Sequence, residues 1–387
     1  MKDILIITNY YPPETGAASN RIFQLARGLA THNFKVSVIC PLPNYPTGKV
    51  FEAYKGRIKH TSKENNITIH RLWIYASNSK TILLRLIAML SYSFSLVWFF
   101  MWNKIPKTVI IQSPPLLVAF TSMLFLRSKK RKLILNVSDL WPIAGLELGA
   151  LKKNFSYSIL EKIERFNYKH ADLILGQSQE ILTHITSLFP NKKVYLYRNF
   201  PDFESPKITH HNYSKGKLKI VYAGLLGVAQ GIYKLCQALD YRNVQLHIYG
   251  AGAEQNAIEN LIKKYPDLDV IYHGELSRNA LHNALIQYDI AIIPLLNRIY
   301  GSVPSKIFEY ALLGLPMLYF GGGEGEKIIE QYHLGWVAES GNYDDLNSVI
   351  SKIKLSDINL NYKNKIQQIA VEKFDFHSQI LILLDKL

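Results

Sequence analysis

Short apolar, β-branched runs alternate with longer stretches of helical periodicity along nearly the whole chain, and this alternation stops once and then restarts. Strands that alternate with helices form parallel sheets joined by crossover helices, so each sheet must be covered on both faces. In the first half the pattern predicts strands at 4–8, 36–40, 67–73, 109–112, 133–137, 173–176 and 194–197, and helices at 17–31, 81–102, 116–126, 156–170 and 179–188. Residues 201–216 break the period with Pro, Asn, Ser, Gly and the adjacent His210 and His211, and read as a linker with solvated histidines. Strands then fit 218–223, 245–249, 270–274, 290–295 and 317–320. The expected architecture is α/β, with two doubly wound parallel-sheet domains at 1–200 and 217–373 that show no close repeat. Residues 374–387 read as a helix with Ile380, Leu381, Leu383 and Leu384 on one side, able to pack back on the first domain. Ligands of such sheets bind beyond the strand C-termini, so a cleft between the domains is the expected site.

The charge is uneven. The formal net charge is +15, and residues 1–200 hold 27 Lys and Arg against 10 Asp and Glu, which accounts for all of the excess. An anionic partner for that half fits, as a membrane surface or nucleic acid; a lysine-rich composition without a target is the plain alternative. The densest cluster is Arg127 with Lys129, Lys130, Arg131 and Lys132, directly after the apolar stretch 116–126. Cations beside apolar helices favour a membrane interface, and no nucleic-acid module is present. A second stretch, 86–102, runs without a charge and ends in Trp98, Phe99, Phe100 and Trp102. Seventeen residues is the lower limit for spanning a bilayer, but strands of one domain flank the segment on both sides. It reads as an interfacial helix or a core helix.

Composition excludes other classes. The two cysteines, Cys40 and Cys236, provide neither a disulfide framework nor a zinc site, and the twelve histidines show no metal-ligand spacing. The N-terminal apolar run is too short for a signal peptide, so a cytoplasmic protein is expected.

Several loops after strands carry candidate chemistry. The first strand leads through Pro12, Pro13, Glu14 and Thr15 to Gly16, a strand–glycine–helix unit without the dinucleotide fingerprint. Gly16 permits close backbone approach to an anion or a sugar, or is an ordinary turn. Gly224, Gly227 and Gly231 follow the first strand of the second domain, and Gly250 and Gly252 end the next; such loops can turn backbone N–H groups toward a phosphate. The run Pro304-Ser305-Lys306-Ile307-Phe308-Glu309 opens a helix. A lysine in a first turn is unfavourable for the helix and points to a bound anion. Ser305, Lys306 and Glu309 share a face, which suits a cation on a diphosphate and a carboxylate on sugar hydroxyls; a surface ion pair is the competing reading. Asp139, directly after strand 133–137, is placed to bind a hydroxyl, accept a proton or cap a helix.

The motifs Tyr10-Tyr11-Pro12-Pro13-Glu14-Thr15-Gly16, Pro43-Asn44-Tyr45-Pro46, Asp139-Leu140-Trp141-Pro142, Arg198-Asn199-Phe200-Pro201-Asp202, Gly224 to Gly231 and Pro304 to Tyr310 together resemble the retaining glycosyltransferases of family 4, with the GT-B fold. Within that family they are most similar to the branch holding bacterial L-fucosamine transferases of O-antigen and capsule assembly. The resemblance implies transfer of a sugar, an N-acetylated amino sugar in that branch, from a nucleoside diphosphate donor such as UDP-sugar. It implies a lipid-linked acceptor of the undecaprenyl diphosphate type, retained anomeric configuration and no metal or other cofactor. Lys306 would neutralise the leaving diphosphate, with Asp139 as the second catalytic candidate. Gly16, Gly224, Gly227, Gln230, Gly252, Ser305 and Glu309 would hold the donor, Glu309 at the ribose. Glu14, Arg21 and Asn44 would lie on the acceptor side. The expected location is the inner face of the cytoplasmic membrane, with no nucleic acid involved. Three positions depart from the family pattern: Gly301 replaces the first glutamate of E-x7-E, Gln230 stands near the usual basic residue of the glycine loop, and Asn33-Phe34 replaces Gly-His. A nucleotide-sugar 2-epimerase of similar fold and a non-catalytic sugar- or nucleotide-binding module are the rival readings.

Overall fold

The computed structural model describes residues 2–79, 81–208, 216–296 and 298–387, with the side chain of Ile82 excepted. His210 and His211 lie outside the described residues. The chain divides into two compact units. The first comprises residues up to Asn199 with Tyr300–Ser302 and His377–Leu387; the second comprises Phe200–Ile299 and Val303–Phe376.

In the first unit the described residues form an eight-stranded sheet. Its strands are β1 (Lys2–Ile7), β2 (Phe34–Pro41), β3 (Lys59–Glu64), β4 (Ile67–Leu72), β5 (Thr108–Ser113), β6 (Lys132–Val137), β7 (Leu173–Gly176) and β8 (Val194–Leu196). They run in the order β3-β4-β2-β1-β5-β6-β7-β8, all parallel except β3. The central strands β1, β5, β6 and β7 carry apolar runs, as burial on both faces requires, and Ile4, Ile6, Val109, Ile110, Ile134 and Ile174 are fully buried. The connecting helices are α1 (Ala17–Thr31), α2 (Ile82–Trp102), α3 (Leu116–Leu126), α4 (Ile143–Glu147), α5 (Phe155–His170) and α6 (Gln179–Leu188).

Strand β3 was not expected. Its sequence, Lys-His-Thr-Ser-Lys-Glu, offers no apolar residue to signal a strand. It forms because Asn65 and Asn66, at φ +48 and +64, turn the chain tightly enough to lay it antiparallel on β4. An edge strand of charged residues also resists pairing with another sheet.

In the second unit a six-stranded parallel sheet runs β11-β10-β9-β12-β13-β14, built from β9 (Leu218–Ala223), β10 (Val244–Tyr249), β11 (Val270–Gly274), β12 (Ile290–Pro294), β13 (Met317–Phe320) and β14 (Gly335–Val337). Its helices are α7 (Ile232–Ala238), α8 (Gln255–Lys264), α9 (Arg278–Leu285), α10 (Lys306–Leu312), α11 (Glu324–Gln331), α12 (Tyr343–Lys352) and α13 (Leu360–Lys373). Two apolar clusters cover the opposite faces of this sheet.

The chain that enters the expected linker is held on the second unit. Phe200 and Phe203 pack on the second unit's core, and the Gln367 amide donates to Pro206 O at 2.9 Å. The last helix, α14 (Phe376–Leu384), buries Ile380 and Leu383 but exposes Leu381, which lies about 100° round the helix from Ile380. Gln379 ties this helix to the first unit, accepting from Arg198 N at 2.8 Å and donating to Arg198 O at 3.0 Å.

Candidate active site

In the second unit, the glycine loop after β9 and the start of α10 meet. The Tyr310 hydroxyl, on α10, donates to Ala223 O at 3.1 Å and sets the helix against the loop. The Lys306 side chain then lies across Gly224, with its ammonium 5.4 Å from the Tyr310 ring centroid. A Cβ at Gly224 would stand 2.9 Å from Lys306 Cε, so glycine there gives the lysine its place. Gly250 supports the same loop from β10. Its φ is +127, and a Cβ there would stand 1.8 Å from Gly224 O. Gly252 sits beside Leu226 O, and Gly227 beside Gln230 Oε1, which is buried and has no hydrogen-bond partner among the described residues. Ser305 precedes α10 but makes no side-chain cap, and the helix has only seven residues, so the dipole expected there is a short one.

Glu309 lies one turn beyond Lys306. Its Oε1 is 2.7 Å from His282 Nε2 and 3.9 Å from Arg278 Nε, both on α9. Phe203 stacks on His282 at 4.3 Å and lies under the Arg278 guanidinium, so the grip on Glu309 is itself braced. Burial would raise the Glu309 pKa, but the His282 hydrogen bond, Lys306 and Arg278 outweigh it and hold the carboxyl at about 2. Burial lowers the Lys306 pKa, Glu309 opposes that shift and Arg278 adds to it. The result is an ionised carboxylate able to accept from hydroxyls beside a desolvated lysine able to meet an anion. Nothing in the spacing of α9 and α10 announced His282 or Arg278.

In the first unit, Asp139 follows β6. A chain of polar groups leads to it. Arg21 Nη2 donates to Asn136 Oδ1 at 2.7 Å, Asn136 Nδ2 to Gln112 Oε1 at 2.7 Å, Gln112 Nε2 to Ser138 Oγ at 2.9 Å, and Ser138 Oγ to Asp139 Oδ2 at 3.4 Å. Burial raises the Asp139 carboxyl to about 6, against the pull of Arg21 and Ser138. The helix-cap alternative fails, because α4 is preceded by Pro142 and has no side-chain cap.

Two expected acceptor-side residues turn inward. Arg21 is 3% exposed, and its guanidinium also donates to Gln177 Oε1 and Tyr197 O. The guanidinium is held by these internal acceptors, within electrostatic reach of Asp139. Glu14 is 4% exposed, and its Oε1 accepts from Asn44 N at 2.7 Å and Tyr45 N at 2.9 Å. It braces the Pro43–Pro46 turn. Burial raises its pKa, opposed by those backbone N–H groups. Asn44 stays partly exposed on that turn, and Gly16, which precedes α1, lies open beside Tyr45.

Gly301 belongs to the first unit. At φ +83 it donates to Glu180 Oε2 at 3.0 Å and accepts from Ser178 Oγ at 2.7 Å. A Cβ there would stand 2.9 Å from Ile181 Cγ1. A glutamate in this backbone conformation would be both strained and crowded. Among the described residues, no group of three His, Cys, Asp or Glu side chains is arranged to hold a metal.

Two family models match the chain. Glycosyl transferase 4-like domain covers residues 16–198, and glycosyl transferases group 1 covers residues 205–372. No curated protein matches. Among solved structures, sucrose-phosphate synthase from Thermosynechococcus elongatus is similar with TM-score 0.75 and 12% identity, over 100% of this chain and 98% of that one. Anabaena HepE in complex with UDP and glucose gives 0.67 and 15%, over 100% of both chains. WaaG, a glycosyltransferase involved in lipopolysaccharide biosynthesis, gives 0.66 and 12%, over 99% of this chain and 98% of that one. At these identities the likeness is one of fold.

Proposed function

We propose, from the premise that this chain is a family 4 glycosyltransferase of the GT-B fold, that it transfers a sugar from a UDP-sugar to a lipid-linked glycan during assembly of a bacterial surface polysaccharide. The observation that carries the donor half is Lys306 laid across Gly224 with Glu309 one turn away. When the bond between the sugar and the diphosphate breaks, negative charge grows on the leaving group, and a fixed, desolvated ammonium stabilises that charge more than it stabilises the intact donor. Glu309, ionised and held by His282 and Arg278, accepts hydrogen bonds from the ribose hydroxyls. Gly224, Gly227 and Gly252 let the backbone approach the phosphates. The neighbour solved with UDP supports this choice of nucleotide.

On the acceptor side, Asp139 serves a sugar hydroxyl, and the polar chain from Arg21 fixes its position. WaaG supports a role in surface glycan assembly. The Asp139-Leu140-Trp141-Pro142 and Pro304–Tyr310 motifs support the L-fucosamine transferase branch, an N-acetylated amino sugar donor, retention of configuration and an undecaprenyl diphosphate-type acceptor. Such an acceptor places the enzyme at the inner face of the cytoplasmic membrane. Lys306 supplies the charge that a metal would otherwise provide.

The test is release of UDP from UDP-N-acetylhexosamines, followed with and without lipid-linked glycan. Release that needs the acceptor, with a product one sugar heavier by mass spectrometry, is expected. Conversion of the donor without acceptor would make it an epimerase, and no turnover with any pair would make it a binding module.

A further inference from the structure

Helix α2 is apolar on two opposite faces. One face belongs to the core: Tyr92, Leu96 and Phe99 are buried, and the Tyr92 hydroxyl donates to Thr8 O at 2.9 Å. The other face carries Leu83, Ile87, Leu90, Phe94, Trp98 and Met101, all exposed, with Phe94 at 66%, Trp98 at 58% and Met101 at 68%. Their spacing of three and four residues makes one continuous stripe. Over 21 residues the helix is about 31 Å long, and the stripe follows nearly all of it.

Charge indicates what covers the stripe. Between Glu64 and Asp139 the sequence has no acidic residue and ten lysines and arginines. Helices α2 and α3 each end just before a strand of one parallel sheet, so their C-termini share an end of the unit. The loops there touch: Lys132 N donates to Lys107 O at 2.7 Å and Arg131 Nε to Pro106 O at 3.2 Å. Exposed Trp102 and Phe125 are thereby set beside exposed Lys104, Lys107, Arg127, Lys129 and Lys130. A second copy of this helix would bring these lysines and arginines against their own copies, with no carboxylate within residues 65–138 to offset them. An anionic lipid surface receives both the stripe and the rim.

We propose that α2 lies flat in the headgroup region of an anionic membrane, with its Leu83–Met101 stripe inserted and the α2–α3 basic rim on the lipid phosphates. The helix does not cross, because its inner face is part of the core. Its N-terminal end leads to the acceptor-side turn, where Asn78 Nδ2 donates to Pro46 O at 2.6 Å. A lipid-anchored glycan held in the same plane therefore reaches that turn without leaving the membrane. This step rests on the lipid-linked acceptor proposed above; the docking surface does not.

The test uses the full-length protein with phosphatidylcholine vesicles, with and without one-third phosphatidylglycerol. Wild type should sediment with the anionic vesicles, and brominated acyl chains should quench its tryptophan fluorescence. Trp98→Phe/Trp102→Phe should lose that quenching. Phe94→Glu/Trp98→Glu should weaken binding at least about tenfold, and Lys129→Ala/Lys130→Ala about 30-fold at low salt. UDP titration of each variant should match wild type, which verifies folding and reads the donor site independently. Binding of Phe94→Glu/Trp98→Glu equal to wild type, or no sedimentation of wild type, overturns the proposal. A wild-type dimer that this variant dissociates, with no vesicle binding, assigns the stripe to a second copy. Failure of UDP to bind wild type itself, with vesicle binding intact, would sink the donor reading and leave the docking surface standing.

Discussion

Lys306 lies across Gly224 so closely that a methyl group on the glycine would stand 2.9 Å from the lysine Cε and 3.5 Å from its Nζ. The nearest obstacle is the far end of a flexible side chain, and the Tyr222 hydroxyl at 3.1 Å has to give by only a few tenths of an ångström. Gly224→Ala should therefore melt close to wild type while displacing the ammonium. Displacements on the order of 1 Å at a reacting group lower rates about 10²-fold, and a loss of that order in kcat is expected. Wild-type turnover would show that the lysine needs no glycine beneath it.

Glu309→Gln should weaken UDP binding. Hydrogen bonds to a charged acceptor contribute roughly 1.5–3 kcal/mol, so affinity should fall about 10- to 150-fold by calorimetry. With its carboxyl held at about 2, Glu309 is ionised at any working pH, so wild-type UDP affinity should show no inflection from this group between about pH 5 and 8. Unchanged affinity in the variant would remove Glu309 from the nucleotide site.

Asp139 gives a pH signature. Burial raises its carboxyl from the ordinary 3.8 to about 6, so the folded protein holds this proton to higher pH than the unfolded chain does. Ionisation of Asp139 thus costs stability, and that cost grows as pH rises from the unfolded value through about 6. Asp139→Asn removes it. The variant should gain stability relative to wild type at about pH 8 and gain little at about pH 4, read by urea denaturation. A stability difference that does not change with pH would contradict the burial argument.

EDTA should leave turnover intact, since Lys306 takes the role of a cation at the diphosphate. Activity lost in chelator and restored by magnesium or manganese would show that the lysine does not suffice.

Much of the fold was legible because apolar runs carry strong local signals. Helices Ala17–Thr31, Leu116–Leu126 and Gln179–Leu188 and strands Leu218–Ala223 and Met317–Phe320 fall within the bounds that periodicity gives. Strand β3 was silent because pairing and an Asn-Asn turn make it, not hydrophobicity. In the site, Lys306 and Glu309 could be paired from their spacing along one helix. His282 could not be joined to Glu309, because 27 residues and a strand separate them and only the folded sheet sets α9 beside α10. Glu14 and Arg21, expected on the acceptor side, are buried on partners that lie far along the chain. A charged residue beside a glycine loop looks like a ligand contact until its partners are seen to be internal, Asn44 and Tyr45 for one and Asn136 and Gln177 for the other.

The central claim is that Lys306 meets the diphosphate, and paired titrations of UDP and UMP test it most directly. A desolvated ammonium on the second phosphate should make wild type prefer UDP over UMP by roughly 10- to 150-fold, the worth of a charge-assisted hydrogen bond. In Lys306→Ala that preference should collapse toward unity while UMP binds as before, and turnover should fall about 10²–10³-fold. A Lys306→Ala protein that still prefers UDP to the wild-type extent would contradict the account.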